Sequence, residues 1–379
     1  MKKKILISEP FIDKKEINSV ANVLKSGWIT QGPKVREFEN LFSKYHNSKY
    51  AVALSSCTTA LHLMLLAAGI KKNDEVIIPS FTWVSTANAV LYIGAKPVFV
   101  DVNIKNYNID INLIKKKITK KTKAILLVHL FGLCVDIFNL KRKISKNIII
   151  LEDCACAAGS KIGKKYAGTL GLAGAFSFHP RKIISTGEGG MILTNNYSLY
   201  KKLIQLRNHG ASISEEDRHK SDKPYFMPHF NVLGYNYRMT DLQGAIGIEQ
   251  TRKLKIISKF RNKWANFYFK ELKNIKWLVL PVIPKKFTHG WQAFVILVKK
   301  NKIKKSRNNI LEYLNEHGIS CRPGTHAIHT LSYYKKKYKI KETDFLISKI
   351  CQDQTIALPL HNGMNEKDFK YIIKIIKDI

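Results

Sequence analysis

Short apolar runs alternate with segments of helical periodicity over the first half of the chain. Seven of these runs have the length and the content of branched apolar residues that are typical of buried β-strands. They cover residues 50–56, 75–81, 97–102, 124–130, 148–153, 174–179 and 190–194. Because helical segments separate several of the runs, the pattern predicts an α/β fold with a large, mainly parallel seven-stranded sheet covered on both faces. Ligands bind such sheets at the carboxyl ends of strands, and Ser56, Asp153 and His179 lie at predicted strand ends.

The pattern changes after a long helical segment that begins at a capping box, Thr240 to Gln243. The rest of the chain mixes strand-like and amphipathic helical segments, of which the clearest are 293–300, 307–318 and 369–379. We therefore predict a large domain over residues 1–255 and a smaller C-terminal α+β domain over residues 256–379.

The net charge of +36 comes from 64 Lys and Arg residues against 28 Asp and Glu residues. Such a charge could bind nucleic acid, attract anionic substrates, or reflect a lysine-rich composition alone. The lysines are scattered over runs such as 115–123, 141–146, 299–305 and 335–339, without the interleaved aromatic residues that a base-stacking surface needs. A solvated surface is therefore favoured over nucleic-acid binding, and steering of anionic substrates stays open.

The apolar and cysteine patterns bear on the cellular compartment. No apolar run approaches the ~20 residues of a membrane span, and the apolar stretch at residues 5–7 is too short for a signal-peptide core. We therefore expect a cytoplasmic protein without a membrane partner. The six cysteines form no C-x-x-C pair, and Cys154 and Cys156 are spaced unlike zinc ligands, so we expect reduced thiols and no metal.

Two charged residues follow apolar strand patterns and are candidates for chemistry at the sheet edge. Asp153 ends the run 148–153, and Lys182 lies between the run 174–179 and the glycine-rich turn 187–190. A desolvated lysine can act as a Schiff-base nucleophile, and a carboxylate beside a pyridine nitrogen keeps that nitrogen protonated. Taken alone, a turn-capping aspartate and a surface lysine remain open interpretations.

A candidate phosphate site lies at the start of the first apolar helix. The segment 55–69 is typical of a strand end, a turn and a helix that begins near Thr58 and ends at Gly69. A helix N-terminus offers unpaired N–H groups and a positive dipole end to an anion, here from Cys57, Thr58 and Thr59. Ordinary capping by Thr58 is an equally good interpretation of this motif.

Six segments of the chain resemble, in order, motifs of the DegT/DnrJ/EryC1/StrS family of pyridoxal-phosphate (PLP) sugar aminotransferases. They are GWITQGPKVREFE (27–39), SSCTTALHLMLLAAGI (55–70), DEVIIPSFTWVSTANAV (74–90), LEDCACAAGS (151–160), FSFHPRKIISTGEGGM (176–191) and GYNYRMTDLQGAIG (234–247). The similarity extends over about residues 7 to 359. Each motif is a weak match alone, whereas six in the right order are highly specific. The resemblance implies the fold-type I aminotransferase fold with PLP as cofactor.

The resemblance also implies roles for residues around the cofactor. Lys182 is expected to form the Schiff base and to move a proton between carbon atoms, while Asp153 faces the pyridine nitrogen. Lysine at this position favours transamination, because related sugar dehydratases carry histidine there. The other implied contacts are Thr58, Thr59 and Ser177 at the phosphate, Trp83 over the ring, Cys156 near the ring oxygen, and Asn236 reaching the cofactor of a second protomer. Cys156 departs from the Gln or His that the family often has, and a core position for Trp83 stays open.

Substrate contacts are implied by three further similarities. Trp28 lies in a segment that resembles the strip near the sugar, and Arg238 follows Asn236 in the same motif. His329 lies in the segment 322–334, which resembles the loop that closes on the substrate. An ion pair at the helix start is an alternative for Arg238, and a lone loop histidine such as His329 is more often structural.

The resemblance implies an aminotransferase that moves an amino group from L-glutamate to a keto group of a nucleotide-linked deoxysugar in polysaccharide biosynthesis, with ping-pong kinetics. Since Asn236 is expected to reach the other cofactor, it also implies a homodimer with shared active sites. Three alternatives stay open: a PLP-dependent sugar dehydratase or other lyase, a transaminase of a small phosphorylated ketone, and a nucleic-acid-binding protein that has the fold without the cofactor. The divergent segment 322–334 keeps the small ketone open.

Overall fold

All seven predicted runs form strands of one large sheet, which confirms the predicted fold class. The computed structural model describes residues 4–213, 225 and 227–379. In chain order, the strands of residues 4–213 are β1 (Tyr50–Leu54), β2 (Glu75–Pro79), β3 (Phe81–Thr82), β4 (Lys96–Val100), β5 (Thr122–Val128), β6 (Ile149–Asp153), β7 (Lys161–Ile162), β8 (Lys165–Tyr166), β9 (Ala173–Ser177) and β10 (Gly190–Thr194).

The α-helices of the described residues are α1 (Lys14–Ser26), α2 (Pro33–Tyr45), α3 (Cys57–Ala67), α4 (Val84–Tyr92), α5 (Ile111–Ile114), α6 (Ile137–Lys141), α7 (Tyr197–Arg207), α8 (Asp241–Leu272), α9 (Arg307–Glu316), α10 (Ser332–Tyr338), α11 (Leu346–Gln354) and α12 (Glu366–Lys377). Short 3-10 turns lie at Lys115–Lys117, Leu130–Gly132, Lys300–Lys302, Ile328–Thr330 and Glu342–Phe345. Within the described ranges, no helix is both long enough and apolar enough to cross a membrane.

The large sheet has the strand order β1-β10-β9-β6-β5-β2-β4. The pairs β9–β6, β6–β5, β5–β2 and β2–β4 are parallel, whereas β10 is antiparallel to both of its neighbours. The connection from β9 to β10 contains no helix, whereas a parallel connection usually carries a crossover helix. The carboxyl ends of β1, β9 and β6 therefore lie at one edge of the sheet, beside the start of β10.

Side chains of the central strands alternate between two apolar cores, one on each face of the sheet. On β2, Ile77 belongs to one core, while Val76 and Ile78 belong to the other. Phe38 and Phe42 of α2 lie in the first core. Helix α3 supplies much of the second core, since its residues from Ala60 to Leu65 are all buried. This helix is held firmly, and so is the turn at its N-terminus.

A smaller antiparallel sheet, in the order β11 (Leu278–Val279), β13 (Phe294–Val298) and β15 (Thr355–Leu358), organises the C-terminal part. Two further strands there, β12 (Phe287–Thr288) and β14 (His326–Ala327), pair with β7 and β3 of the N-terminal part. Helix α8 contributes Ile257 to the first core of the large sheet and Trp264 to a separate core around the smaller sheet. Ile5 also lies in that separate core. The division at residue 255 stays a prediction.

Candidate active site

The ends of strands β6 and β9 and the start of helix α3 bring the predicted site residues to one edge of the sheet. Asp153 is the last residue of β6, and Ser177 is the last residue of the neighbouring β9. Lys182 follows in the turn after β9 and is half-buried. Asp153 and Lys182 interact electrostatically with each other, and both interact with Cys57, the first residue of α3.

Asp153 is held by hydrogen bonds to both carboxylate oxygens. Thr86 Oγ1 donates to Oδ2 at 2.8 Å, and the Ala155 N–H donates to Oδ1 at 3.1 Å. The carboxylate is 3% exposed. Burial raises the pKa of Asp153, whereas the two hydrogen bonds and the nearby Lys182 amine oppose that rise. The side chain therefore has a fixed orientation at the strand end.

The Lys182 amine lies among groups that favour its charged form. Its Nζ is 3.4 Å from Cys156 Sγ. Burial alone lowers the pKa of Lys182, but Cys156, Cys57 and Asp153 outweigh it, and the pKa is raised above the ordinary lysine value. The Asp153 carboxylate supplies negative charge here, whereas burial raises the pKa of the Cys57 thiol well above its usual range and keeps that thiol uncharged. The amine therefore rests protonated beside a carboxylate.

The start of helix α3 has the form of an anion site. Ser56 is the N-cap residue, and its side chain and that of Thr59 form a capping box. The Thr59 hydroxyl donates to Ser56 O at 2.7 Å. Ser56, and not Thr58, therefore caps the helix, and the half-buried Thr58 side chain lies outside that box. The cap leaves the N–H groups of Cys57 and Thr58 at the positive end of the helix.

The helix bounds differ slightly from those expected. The helix begins at Cys57, one residue before the predicted start, and its C-cap is Ala68. Gly69 follows in the left-handed region, with φ of +83°. Gly190, at the start of β10, packs tightly against the capping turn, because an added Cβ would lie 2.3 Å from Ser56 O.

Trp83 is 59% exposed, so the alternative of a core tryptophan is wrong. It is the N-cap residue of α4, one turn before Thr86. The edge of its ring system meets His326 of β14, with 5.4 Å between the centroids and an interplanar angle of 67°. An exposed aromatic ring therefore stands at the start of the helix whose Thr86 contacts Asp153.

Asn236 and Arg238 lie on an extended segment before helix α8. Asn236 is exposed and forms a backbone bridge with Asn208. Arg238 Nη1 donates to Asn208 Oδ1 at 2.5 Å. This is a hydrogen bond to a neutral amide, in place of the ion pair considered above. The exposure of Asn236 leaves it accessible to a second copy of the chain.

The two remaining substrate candidates differ in their surroundings. Trp28 is half-buried, and its Nε1–H donates to Gln31 O at 3.2 Å. His329 is fully buried, with Nδ1 at 2.6 Å from Ser80 Oγ and Nε2 at 3.2 Å from Glu342 O. Because both ring nitrogens of His329 have protein partners, the geometry favours the structural alternative, and we do not assign it a substrate contact.

Sequence reasoning missed three residues that border the site: Thr86, Glu152 and His326. Thr86 lies in the same motif as Trp83, but nothing in the sequence around it distinguishes it from an ordinary helix residue. Glu152 precedes Asp153 in the strand and therefore points to the opposite face, where it accepts a hydrogen bond from His129 Nε2 at 2.8 Å. His326 is exposed in the loop that was expected to close on the substrate.

His129, Glu152 and Cys154 bring three possible metal-ligating atoms within 4.8 Å of one another. The Glu152 oxygens already accept hydrogen bonds from His129 and from backbone N–H groups of Gly168, Leu170 and Gly171. This buried cluster therefore serves to hold the strand end that carries Asp153.

A family model described as the DegT/DnrJ/EryC1/StrS aminotransferase family matches residues 10–377. The chain belongs to this family of aminotransferases. GDP-perosamine synthase of Escherichia coli O157:H7 is 36% identical over 89% of this chain and 89% of that protein. The spore coat polysaccharide biosynthesis protein SpsC of Bacillus subtilis is 34% identical over 98% of this chain and 96% of its own length.

Solved structures of sugar enzymes match the whole fold of this family member. The putative sugar aminotransferase Spr1654 of Streptococcus pneumoniae in its PLP-form has a TM-score of 0.90 at 27% identity, covering 99% of this chain and 98% of that one. The E. coli GDP-4-keto-6-deoxy-D-mannose-3-dehydratase with bound hydrated PLP has a TM-score of 0.89 at 30% identity, covering 99% of this chain and 100% of that one.

Proposed function

We propose that this aminotransferase moves an amino group from L-glutamate to a keto group of a nucleotide-linked deoxysugar. The observation that carries the proposal is the convergence of the Lys182 amine, the Asp153 carboxylate and the N-terminus of α3 at one sheet edge. The relatives support a sugar as the acceptor, since one is a GDP-perosamine synthase and another is a spore coat polysaccharide biosynthesis protein.

The cofactor is pyridoxal phosphate, and the residues present fit its pyridine nitrogen, its aldehyde carbon and its phosphate. Asp153 would hold the pyridine nitrogen, and Lys182 would hold the aldehyde carbon. The N–H and hydroxyl of Thr58 and the hydroxyl of Ser177 would bind the phosphate. Thr59, whose N–H and hydroxyl both donate to Ser56, would contribute by holding the turn that presents them. When bound, this cofactor withdraws electrons from the α-carbon of the amino acid. Trp83 would cover one ring face, and Cys156, which contacts Lys182, would lie near the ring oxygen.

The Lys182 amine can both form a Schiff base with a carbonyl carbon and carry a proton. Its Nζ must lose a proton before it acts as a nucleophile, since its raised pKa keeps the amine protonated at rest. Released from the cofactor, the same Nζ would move a proton between the substrate carbon and the cofactor carbon. The Asp153 carboxylate would meanwhile hold positive charge on the ring nitrogen.

The partner and substrate proposals rest on exposed groups. Asn236 is exposed, which supports a homodimer in which it reaches the cofactor of the second protomer. Trp28 and Arg238 remain proposed substrate contacts. A net charge of +36 would favour the approach of an anionic nucleotide sugar and of glutamate. A cytoplasmic location stays our proposal, in keeping with a nucleotide-sugar substrate.

The experiment that tests this function separates the two half-reactions. The PLP-loaded protein is mixed with L-glutamate and the loss of cofactor absorbance is followed, and then candidate keto sugars are tested for its return. Lys182→Ala should abolish both changes, whereas Lys164→Ala, which removes an exposed lysine, should leave both intact. Wild-type turnover by Lys182→Ala would rule out the role of this lysine.

A sugar dehydratase is the second candidate, because the E. coli dehydratase matches this fold over nearly the whole of both chains. The presence of Lys182 argues for transamination. A dehydratase would leave no nitrogen on the sugar, so an amino group in the product distinguishes a transaminase from a dehydratase. A substrate panel that includes small phosphorylated ketones tests the remaining transaminase alternative.

A further inference from the structure

Three buried side chains form a continuous chain of hydrogen bonds that ends on the carboxylate of the site. Thr82 Oγ1 lies 3.2 Å from Thr86 Oγ1, and Thr86 Oγ1 lies 2.8 Å from Asp153 Oδ2. Thr82 is 1% exposed and Thr86 is fully buried. Helix α4 begins without a side-chain cap, and the Thr86 hydroxyl, three residues after the N-cap, donates to Asp153.

The direction of these hydrogen bonds follows from the number of protons available. A carboxylate oxygen only accepts, so Thr86 must donate its single hydroxyl proton to Asp153. Its oxygen can then only accept, so Thr82 donates to Thr86. Thr82 lies on β3 opposite His326 of β14, which fixes the backbone of Thr82 by strand pairing. The hydrogen bonds therefore all donate in one direction, from Thr82 on the paired strand through Thr86 to the Asp153 carboxylate.

We propose that Thr86 is a positioning residue whose hydroxyl, held in turn by Thr82, keeps the Asp153 carboxylate ionised and oriented toward the cofactor nitrogen. The proposal rests on the proposed function, because it assumes that Asp153 faces that nitrogen. A protonated or rotated carboxyl group would lose the charge that binds a protonated ring. Neither threonine needs to touch the cofactor for this role.

The other groups that face Asp153 do not replace Thr86. Lys182, after β9, and His129, after β5, both favour the ionised carboxylate, and their contributions are smaller than those of the hydrogen bonds. Cys57 of α3 and Cys154 after β6 also face it, and burial raises the pKa of both thiols, so they remain uncharged. Of the hydrogen bonds to the carboxylate, the one from Thr86 opposes the effect of burial most.

The test compares PLP binding to the cofactor-free protein across a range of pH. Binding is followed by cofactor absorbance and by tryptophan fluorescence in the wild type, Thr86→Val and Thr86→Ser. Thr86→Val should weaken binding near neutral pH by roughly tenfold or more, because a hydrogen bond to a charged group is lost. PLP binding should be lost at low pH in a plot of affinity against pH, and this loss is called the acid limb of the binding profile. In Thr86→Val the acid limb should move to a higher pH by about one unit, because the pKa of Asp153 rises.

The matched variants separate positioning from packing. Thr86→Ser retains the hydroxyl and should keep the wild-type acid limb, even if the missing methyl group lowers thermal stability. Thr82→Val should shift the limb in the same direction by a smaller amount, since it only weakens the donor. If Thr86→Val does not fold, Thr86→Ala is measured against Thr86→Ser in its place.

Two outcomes overturn the inference. A Thr86→Val protein with the wild-type acid limb would show that the contact is only structural, whatever its affinity. An acid limb displaced equally in Thr86→Ser would point to packing and not to the hydroxyl. Asp153→Asn identifies a different failure: if that variant binds PLP as the wild type does, the proposed role of Asp153 is itself wrong. If Asp153→Asn loses PLP binding while Thr86→Val binds as the wild type does, the proposed role of Asp153 stands and the proposed role of Thr86 is wrong.

Discussion

Replacing Glu152 by glutamine should destabilise the protein strongly, although the two side chains have nearly the same shape. Each carboxylate oxygen accepts two N–H groups. Oε2 accepts from His129 Nε2 and Gly168 N, both at 2.8 Å. Oε1 accepts from Leu170 N at 2.8 Å and from Gly171 N at 2.7 Å. The side chain is fully buried, so water cannot replace a lost partner.

A glutamine can satisfy only one of these pairs, because its other terminal atom is an NH2 group that faces two donors. His129 cannot adapt by changing tautomer, since its Nδ1 accepts from Val135 N at 3.1 Å. Each hydrogen bond to a charged group contributes about 1.5–3 kcal/mol, so the loss of two costs roughly 3–6 kcal/mol. Relief of the cost of burying the charge offsets part of this. We therefore expect a net loss of about 3 kcal/mol, which is large beside a typical total of 5–15 kcal/mol.

The assay is urea unfolding of the cofactor-free protein, followed by tryptophan fluorescence and circular dichroism, with the midpoint and slope compared. Glu312→Gln is the control, because Glu312 is exposed and has one long contact, 3.5 Å from Asn309 Nδ2. That variant should change the free energy of unfolding by no more than about 0.5 kcal/mol. A loss below about 1 kcal/mol in Glu152→Gln would refute the hydrogen-bond argument and show that removal of the buried charge compensates fully.

Two further predictions follow from buried histidines and from a close backbone approach. Burial lowers the pKa of His46 to about 4 and that of His289 to about 3, from an ordinary value of 6.5. At a pH between the folded and the unfolded pKa of each histidine, the unfolded chain binds a proton that the folded chain does not. The free energy of unfolding should therefore fall as pH drops below 6.5, by about 2 kcal/mol per histidine at pH 5. Urea midpoints that are equal at pH 7 and pH 5 would contradict this. Gly190→Ala should weaken PLP binding about tenfold or more, because the new Cβ displaces the Ser56 carbonyl at the N-terminus of α3. Gly69→Ala, in open space at the other end of the helix, should cost only about 1 kcal/mol of stability from its positive φ and leave PLP affinity unchanged, and equal affinity losses in both variants would contradict the argument.

The strands could be predicted from the sequence because each is a short apolar run between turn signals. The direction of β10 could not be predicted, since a strand that is buried throughout has the same composition in either direction. Helix α3 was located to within one residue at its start, because its apolar residues and small polar N-terminus are local signals. Fold class therefore followed from local patterns, and strand direction did not.

The site could be predicted only as far as its residues lie in motifs. Asp153 ends a recognisable strand and Lys182 follows another, and the structure brings them together. Thr86 was missed because its partner is 67 positions away in sequence and a threonine in an apolar helix has no distinguishing signal. His329 was placed by resemblance, but whether its ring nitrogens face substrate or protein depends on packing that no local pattern records.

The 32-residue helix α8 imposes a limit on anyone who wishes to divide or recombine this enzyme. Its N-terminal part, up to Ile257, completes one apolar core, and its C-terminal part completes another with Trp264 and Tyr268. A fragment cut within it would leave one of the two cores with an open apolar face in water. Chimeras that exchange C-terminal portions with relatives should therefore transfer helix α8 intact and preserve its contacts with both cores, because each core depends on part of this helix.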